Sequence, residues 1–314
     1  MFDTFKNRLK LEGVLTTVTA LRISQGRSTE PIGSDLPVVK DALGKPLIPG
    51  SSFKGAMRSQ LESFLRGIDP NLAANPAIEA EWAVPYQSVL DEQGNTIKTG
   101  LTQLKEQAET IFKNVSGKES KKDKWLTDEL LQRTDLVSIL FGSPWIASKF
   151  QVRDLTVLPD FWFGQYQERD GVAIDRDTET AADGKLYDFQ VVPAGTPFQF
   201  RAIVENAEDW ELGLLMIGLH QFETEQIPLG GGRSRGLGIV CLEVDDVWWF
   251  DYPEDQPEEL LTYLQRLTQG DTTLYQLSQE QFQAHRHNWT EALITYLRDT
   301  IVAPTGSQVA SREA

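Results

Sequence analysis

Ser51, Lys54 and Arg58 are spaced three and four residues apart in the stretch LIPGSSFKGAMR, which follows a β-like run. Residues at these intervals share one face of an α-helix. The N–H groups in the first turn of a helix carry partial positive charge and bind anions such as phosphate. The spacing therefore predicts a phosphate-binding helix face, to which Ser52 and the adjacent Gly50 contribute. The alternative is a serine-capped amphipathic helix with a solvated basic face.

A second cationic stretch is GGGRSRGLG, residues 230–238. It lacks the Gly-Lys-Ser/Thr ending of a Walker loop and the spacing of a dinucleotide fingerprint, and it leads into a strand. Guanidinium groups bind phosphate oxygens in a bidentate manner. We predict anion binding by the middle of this loop, and a mobile hairpin turn is the alternative. The predicted residues are Gly231, Gly232, Arg233, Ser234 and Arg235.

Asp35 is a carboxylate in a polar loop upstream of the predicted phosphate-binding helix. Its immediate neighbours, Gly33 and Ser34, are turn-forming residues, so an ordinary turn aspartate is the alternative. The three histidines show no metal-ligand spacing with acids or with the single cysteine. No Ser-His-Asp or Cys-His set can be argued from the sequence.

Composition limits the classes of protein to consider. The chain has 314 residues, 40% of them hydrophobic, and a formal net charge of −16. Residues 22–66 nevertheless carry seven basic and four acidic residues, whereas residues 243–314 carry four and thirteen. A local basic groove can hold a polyanion despite the acidic total. The lone Cys241, and the lack of a signal peptide or an 18-residue apolar run, lead us to expect a cytoplasmic protein without a membrane span.

These residues need elements to position them, and the patterns predict an α+β fold. We expect a strand within 8–23, or two interrupted at Gly13, then a hairpin turning at 41–44. A helix capped by Ser51 or Ser52 should run to about Arg66. Later elements are a short helix ending at Gly142, a strand in KFQVRDLTVL, an apolar helix in ELGLLMIGLHQF and a strand in IVCLEV.

The order of elements is β-α-β-β-α-β, as in a ferredoxin-like domain decorated by insertions. We predict one domain over 1–250, with a helical or flexible insertion at about 67–135 and a long β-hairpin at about 164–204. Residues 251–314 should form an acidic helical extension, disordered after Pro304.

Taken together, the motifs resemble a known family. The stretches PVVKDALGKPLIPGSSFKGAMR and LGGGRSRGLGIV are similar to the backbone subunits of type III CRISPR effector complexes, in the RAMP superfamily. LFGSPW and the hairpin AIDRDTETAADGKLYDFQVVPAGTPF match in the same order, so the resemblance covers roughly residues 8–245. The insertion and the acidic C-terminus depart from the simplest members and are closest to the III-D variety.

The resemblance implies an RRM-like (ferredoxin-like) palm with a hairpin thumb that carries Arg176. It implies that guide-RNA phosphates lie on Ser51, Ser52, Lys54 and Arg58. It also places them near residues 230–238, here called the glycine loop. Asp35 occupies the place of the catalytic aspartate of active members, which cleave target RNA with Mg²⁺ or another divalent metal. The implied partners are guide RNA, target RNA, paralogous backbone subunits and a large polymerase-like subunit, without a membrane.

Two other functions stay open at this point. One is a non-catalytic, structural RNA-binding subunit of the same complex, since a turn aspartate and a catalytic aspartate look alike in sequence. The other is a repeat-processing endoribonuclease of the same superfamily, which would use histidine as an acid–base group. No histidine lies near either phosphate motif, so this possibility ranks last.

Overall fold

The structure of the chain is a computed structural model. It describes residues 4–26, 34–113, 117–171, 187–252 and 256–302. The chain divides into two compact units. One comprises Met1–Met57 with Gln151–Leu293, and the other Arg58–Phe150 with Ile294–Ala314.

Ten strands and seven helices are formed by the described residues. The strands are β1 (Asn7–Thr17), β2 (Leu47–Ile48), β3 (Val89–Leu90), β4 (Thr96–Lys98), β5 (Phe150–Val152), β6 (Leu155–Thr156), β7 (Gln167–Gly171), β8 (Tyr187–Val191), β9 (Pro197–Glu205) and β10 (Val240–Asp251). The helices are α1 (Gly50–Ile68), α2 (Leu101–Ile111), α3 (Lys118–Arg133), α4 (Leu136–Phe141), α5 (Asp209–Glu223), α6 (Pro257–Gln269) and α7 (Gln279–Val302). The α+β class predicted from the sequence is confirmed, and KFQVRDLTVL forms two short strands, β5 and β6, instead of one.

A four-stranded sheet in the order β10-β1-β9-β5 organises the fold. Its second strand, β1, pairs antiparallel with both β10 and β9. The register of β1 against β10 shifts between Glu12 and Gly13. A Cβ atom at Gly13 would lie 2.1 Å from the carbonyl oxygen of Glu243, so only glycine fits at this bulge. The first predicted strand is therefore a single strand with a bulge, not two strands.

The core of the first unit lies between this sheet and the helices α1 and α5. Leu9 and Leu11 of β1 alternate with less buried residues and are fully buried. The ring of Phe53 on α1 stacks on Phe222 of α5 with centroids 4.2 Å apart. It also lies 5.2 Å from the ring of Phe200 on β9. Full burial of such a phenylalanine side chain contributes about 1.5–3 kcal/mol, so this contact fixes α1 on the sheet.

The hairpin predicted over 164–204 is shorter in the structure. Strands β7 and β8 pair antiparallel from Gln167–Val191 to Gly171–Tyr187. The following strand, β9, belongs to the central sheet because its alternating apolar residues are buried there. The prediction was therefore wrong in including 197–204 in the hairpin. Arg176 and the stretch 175–185 lie outside the described residues.

The acidic C-terminal region forms helices, as the sequence predicted. Phe250 at the end of β10 stacks on Tyr263 of α6 with ring centroids 4.0 Å apart. On α5, a Cβ at Gly213 would lie 2.1 Å from the carbonyl oxygen of Trp289, so the backbones of α5 and α7 approach closely. Within the first unit, α6 and the first part of α7 each contribute a buried aromatic residue, Tyr263 and Trp289. The predicted disordered tail after Pro304 lies outside the described residues.

The predicted insertion falls within the second unit and is largely helical. An ion pair between Glu109 and Lys118 at 2.7 Å joins α2 to α3, and the ring of Phe112, directly after α2, contacts Trp125 of α3. A short β3–β4 hairpin precedes them. The helix α4 begins after Asp135, whose Oδ1 accepts the N–H of Ser138. It ends before Gly142, as predicted. Within the described ranges, no helix is long and apolar enough to cross a membrane.

Candidate nucleic-acid interface

Backbone hydrogen bonds join the glycine loop, the segment before Asp35 and the start of α1 within the first unit. Gly231 donates its N–H to the carbonyl oxygen of Arg22 at 2.8 Å. Val39 donates to Ile23 at 2.8 Å, and Leu47 donates to Val39 at 3.2 Å. The helix α1 begins directly after this last strand. The sequence motifs that we singled out, although distant along the chain, are therefore parts of one hydrogen-bonded region.

Asp35 is held against β8, the second arm of the hairpin. Its N–H donates to Oδ1 of Asp188 at 2.6 Å. The next residue, Leu36, forms a parallel bridge with Phe189, and its carbonyl oxygen accepts the N–H of Gln190 at 3.1 Å. Asp35 therefore has a tertiary contact that an isolated turn aspartate would lack. The sequence offered no sign of this contact.

Asp188, whose carboxylate accepts the Asp35 N–H, faces a second acidic residue across the hairpin. Asp170 of β7 stands opposite Asp188 in the pairing of the hairpin arms. Across the described part of the chain, no three His, Cys, Asp or Glu residues are grouped so as to hold a metal ion. Mg²⁺ usually keeps several waters and binds through one or two carboxylates plus substrate phosphates. Asp35 and Asp188 are the two carboxylate-bearing residues that the backbone contact joins here.

The glycine loop is a closed, hydrogen-bonded structure. Leu229 donates to the carbonyl oxygen of Gly238 at 2.8 Å, and Gly238 donates to Ala20 at 2.9 Å. Between Gly232 and Gly236, both with positive φ, the chain forms one 3₁₀ turn. That turn carries the three exposed polar side chains Arg233, Ser234 and Arg235. The loop therefore presents two guanidinium groups and a hydroxyl to solvent on a fixed backbone.

The glycines of this loop serve packing and backbone geometry. A Cβ at Gly230 would lie 2.1 Å from the carbonyl oxygen of Arg22, and one at Gly232 would lie 2.7 Å from Cδ1 of Leu237. The N–H of Gly231 already has Arg22 as its acceptor. The phosphate contacts predicted for Gly231 and Gly232 stay predictions, and packing against Leu237 explains the glycine at 232 without RNA.

Two arginines contact aromatic residues of β8. Nη1 of Arg235 donates to the hydroxyl of Tyr187 at 3.2 Å. The guanidinium of Arg22 lies 4.6 Å from the ring centroid of Phe189. The hydrogen bond and positive charge of Arg235, with a smaller contribution from the charge of Arg22, lower the pKa of Tyr187 below its ordinary value of 10.0. Thus Tyr187 contacts the glycine loop and the next residue, Asp188, contacts Asp35.

We expect Tyr187 to titrate at a lower pH than an isolated tyrosine, and Arg235→Gln to raise its pKa. Because the folded pKa is depressed, any stability from this shift is present above the unfolded pKa of about 10 and is lost as pH falls through the folded pKa. It therefore adds nothing near neutral pH. Ring-¹³C tyrosine NMR, with Tyr187→Phe to assign the signal, measures the shift. The same midpoint with and without the Arg235 guanidinium would contradict the contact.

The start of α1 differs from the sequence prediction. The helix begins at Gly50, so neither Ser51 nor Ser52 is its cap. Oδ1 of Asp154 accepts the N–H of Gly50 at 2.8 Å. The carbonyl oxygen of Pro49 accepts the N–H groups of Ser52 and the residue after it. An anion is therefore already present at the helix N-terminus, which reduces the attraction of that terminus for phosphate.

The side chains of the first turn of α1 differ in exposure. Ser51 is exposed, whereas Ser52 and Lys54 are half-buried. The space beside Gly50 is filled by backbone, since a Cβ there would lie 2.5 Å from the carbonyl oxygen of Val152. The structure thus accounts for Gly50 through close packing instead of phosphate approach.

Arg58 lies in the second unit and is hydrogen-bonded to the protein. Its Nε donates to Oε1 of Glu62 at 2.7 Å, its Nη1 to the carbonyl oxygen of Gly142 at 2.9 Å, and its Nη2 to Oγ of Ser138 at 3.0 Å. The side chain is 20% exposed. The expectation of a solvated basic face was therefore wrong at Arg58, because helical periodicity does not reveal what packs against the helix. Its predicted RNA contact stays a prediction.

The sequence matches the RAMP superfamily over residues 14–241, which include every sequence-predicted site residue. This match covers most of the chain. The chain belongs to the RAMP superfamily. Within this RAMP chain, the region of matched sequence contains the Asp35 segment, α1, the hairpin arms and the glycine loop.

Proteins named as CRISPR endoribonucleases resemble this RAMP chain in sequence. The CRISPR system Cms endoribonuclease Csm3 of Enterococcus italicus is 26% identical over 244 residues, which are 77% of this chain and 92% of the relative. Proteins of the same name from Methanocaldococcus jannaschii and Mycobacterium tuberculosis are 45% identical over 60 residues and 43% over 56 residues. Each of these two shorter matches covers 24% of the relative.

Proposed function

We propose that the chain is a guide-RNA-binding backbone subunit of a type III CRISPR effector complex and that it cleaves target RNA. The observation that carries the proposal is the hydrogen-bonded region in which Asp35 and Arg235 of the glycine loop contact neighbouring residues of β8. Similarity to relatives that are named CRISPR endoribonucleases supports the same activity. The partners that we propose are guide RNA, target RNA and other subunits of the complex.

The palm of this subunit is, in our proposal, a ferredoxin-like domain. The supporting observation is the strand order β10-β1-β9-β5, with α1 between β1 and β5 and α5 between β9 and β10 along the chain. Numbered by chain order within the sheet, this is the order 4-1-3-2 of a β-α-β-β-α-β domain. The arms β7 and β8 would then form the base of the thumb.

For RNA contact, we propose two groups of side chains. One is the exposed turn with Arg233, Ser234 and Arg235, whose guanidinium groups suit phosphate oxygens. The other is the first turn of α1, where Ser51, Ser52 and Lys54 share the start of one helix. Phosphate contacts supply most of the sequence-independent affinity for nucleic acid, which suits a subunit that must hold any guide.

For cleavage, we propose that Asp35 acts together with a divalent metal ion, with Asp188 fixing the Asp35 backbone. Such an ion would neutralise charge that develops on the scissile phosphate and favour ionisation of the attacking hydroxyl. Asp35 would hold the ion and orient the phosphate, and the arginines would hold the flanking backbone. The competing function is a structural subunit with an inactive Asp35 position, which the same contacts would also fit.

The double substitution Arg233→Glu with Arg235→Glu should weaken RNA binding about tenfold or more. Each lost phosphate contact should also lower the slope of log affinity against log salt by about one. Filter binding of guide RNA at several salt concentrations measures both quantities. Lys121→Glu with Lys124→Glu, on the exposed face of α3, is a matched control for the same change in net charge. Unchanged affinity and slope in the arginine variant would remove the glycine loop from the interface.

RNA that co-purifies with the chain and its partners tests the broader proposal. We expect RNA of defined length that carries guide sequence. Complexes that contain the chain but hold no guide-derived RNA would refute the function as a whole, independently of cleavage.

A further inference from the structure

A cavity of about 220 Å³ lies on the face of the central sheet opposite to α1 and α5. Its lining comes from the three neighbouring strands β1, β9 and β5 and from the residue directly after β5. Side chains alternate between the two faces of a strand, so the buried Leu11 points into the core, whereas Lys10 and Glu12 point to the cavity. The described residues that line it include none of the side chains assigned above to RNA or metal.

Cationic side chains predominate in this lining. They are Lys10 of β1, Arg201 of β9 and Arg153 directly after β5, and Glu12 is the one acidic residue among them. Three positive charges and one negative charge leave a net charge of +2. The side chains of Lys10 and Arg201 are each 40% exposed, and Arg153 is exposed. A ligand from solvent can therefore reach all three cations.

Glu12 is shared by two of these cations and does not neutralise the third. Its Oε1 lies 2.9 Å from Nζ of Lys10 and 3.7 Å from Nε of Arg201. Among the described residues, the side chain of Arg153 has no ion pair or hydrogen bond. All five N–H donors of its guanidinium group are therefore available to a ligand.

The acidic residues around the cavity do not cancel its positive charge. Glu205 is paired with Arg8 at 2.6 Å. Asp154 accepts an N–H at the N-terminus of α1, whose partial positive charge offsets it. Asp246 stands opposite Glu12 on β10, which does not line the cavity. Even with Asp246 counted, one positive charge remains, so the cavity is suited to an anion.

The size of the cavity favours a single small group. Pockets for drug-sized ligands have volumes of about 300–1,000 Å³, so this smaller cavity fits one phosphate or carboxylate group and not a whole nucleotide. Guanidinium groups bind phosphate oxygens in a bidentate manner. The exposed amide side chain of Gln151, also in the lining, offers a further donor.

An aromatic ring lies beside these cations. Nζ of Lys10 is 3.9 Å from the ring centroid of Trp248, its partner on β10. Surfaces that hold single-stranded nucleic acid combine cations along the backbone with aromatic rings beside the bases. Four-stranded sheets of the RRM type do so on one face. An acidic segment of a protein would need the cations alone, so the neighbouring indole favours RNA as the source of the anion.

We propose that this cavity binds one backbone phosphate of single-stranded RNA, through the guanidinium groups of Arg153 and Arg201 and the charge of Lys10. The proposal rests on the RNA-binding function proposed above. It adds a second contact surface, on the sheet face opposite to α1. A carboxylate of a protein partner is the competing occupant.

Titration of the full-length protein with inorganic phosphate and with acetate, at constant ionic strength, tests the anion site without RNA. The readout is the Nε–H NMR signals of Arg153 and Arg201, each assigned by its loss in the Arg→Gln variant. We expect both signals to shift and saturate with phosphate. Acetate should bind at least about threefold more weakly, because it carries a single charge and has fewer oxygens.

Filter binding of oligouridine of about ten nucleotides tests the source of the phosphate. Arg153→Gln should fold, because the side chain is exposed. It should weaken binding about threefold to tenfold and lower the slope of log affinity against log salt by about 0.7, the value for one contact to a single strand. Arg298→Gln, at an exposed position of α7, makes the same charge change and should bind like the wild type.

Two results would each overturn the proposal: no phosphate-induced shift of either arginine signal, or unchanged RNA affinity and slope in Arg153→Gln. Acetate that binds as tightly as phosphate would assign the cavity to an acidic protein segment instead. RNA bound equally by the wild type and by Arg153→Gln refutes this inference alone. A wild-type chain that binds no RNA refutes the proposed function and this inference with it.

Discussion

Replacing Asp35 with alanine is expected to slow target-RNA cleavage roughly 100- to 1,000-fold, the usual loss when a group that stabilises transition-state charge is removed. Guide and target binding should change less than about twofold, because phosphate contacts by cationic side chains supply the affinity. Removing an anion beside RNA should, if anything, strengthen binding. The measurement is cleavage of labelled target by the assembled complex, with Mg²⁺ and with EDTA.

Asp188 provides a control that separates positioning from metal binding. Asp188→Asn keeps an oxygen that can accept the N–H of Asp35, whereas Asp188→Ala removes the acceptor. If Asp188 only fixes the Asp35 backbone, the asparagine variant should cleave nearly normally and the alanine variant slowly. If both variants are equally slow, Asp188 holds the metal as well.

The cleavage prediction has two clear ways to fail. Wild-type cleavage rates for Asp35→Ala, at the target position that faces this subunit, would show that another group is the catalyst. No cleavage at that position by the wild-type complex would favour the structural function. RNA binding would survive in either case, so the result distinguishes the activity from the binding.

Substituting Gly238 with alanine is expected to lower the free energy of unfolding by about 3 kcal/mol, through backbone strain and overpacking combined. Its φ is +87°, and a Cβ would lie 2.0 Å from the carbonyl oxygen of Leu229. That carbonyl cannot move freely, because Leu229 and Gly238 are joined by the hydrogen bond that closes the glycine loop. Urea denaturation followed by tryptophan fluorescence measures the change.

Gly236 is the matched control in the same loop. Its φ of +79° is similar, but a Cβ there would meet no atom within 4 Å. Gly236→Ala should therefore cost only the left-handed backbone conformation, about 1 kcal/mol. Equal losses in the two variants would mean that the close approach at Gly238 does not constrain the loop.

The elements that could be predicted from sequence are those with a strong local pattern. The stripe that includes Phe53 and Met57 predicted α1, and the apolar run after Asp209 predicted α5. The residues that cap the helices were harder to predict from the sequence. Two adjacent serines suggested a serine cap, yet Asp154, about 100 positions along the chain, accepts the first N–H of α1.

The contacts that define the site depend on tertiary structure. Asp35 and Asp188 are 153 positions apart, and no local pattern relates them. Arg58 shows the converse, because helical spacing placed it on a face correctly but could not show that Ser138 and Gly142 cover that face.

The alternation of β8 limits where the gene can gain or lose codons. Successive side chains of a strand point to opposite faces. Tyr187 therefore contacts the glycine loop, whereas Asp188 contacts the Asp35 segment. A single-residue insertion or deletion within Tyr187–Val191 would exchange the two side chains and break both contacts. Length variation among natural variants should therefore concentrate between Gly171 and Tyr187, whereas the spacing from Tyr187 to Val191 should stay constant.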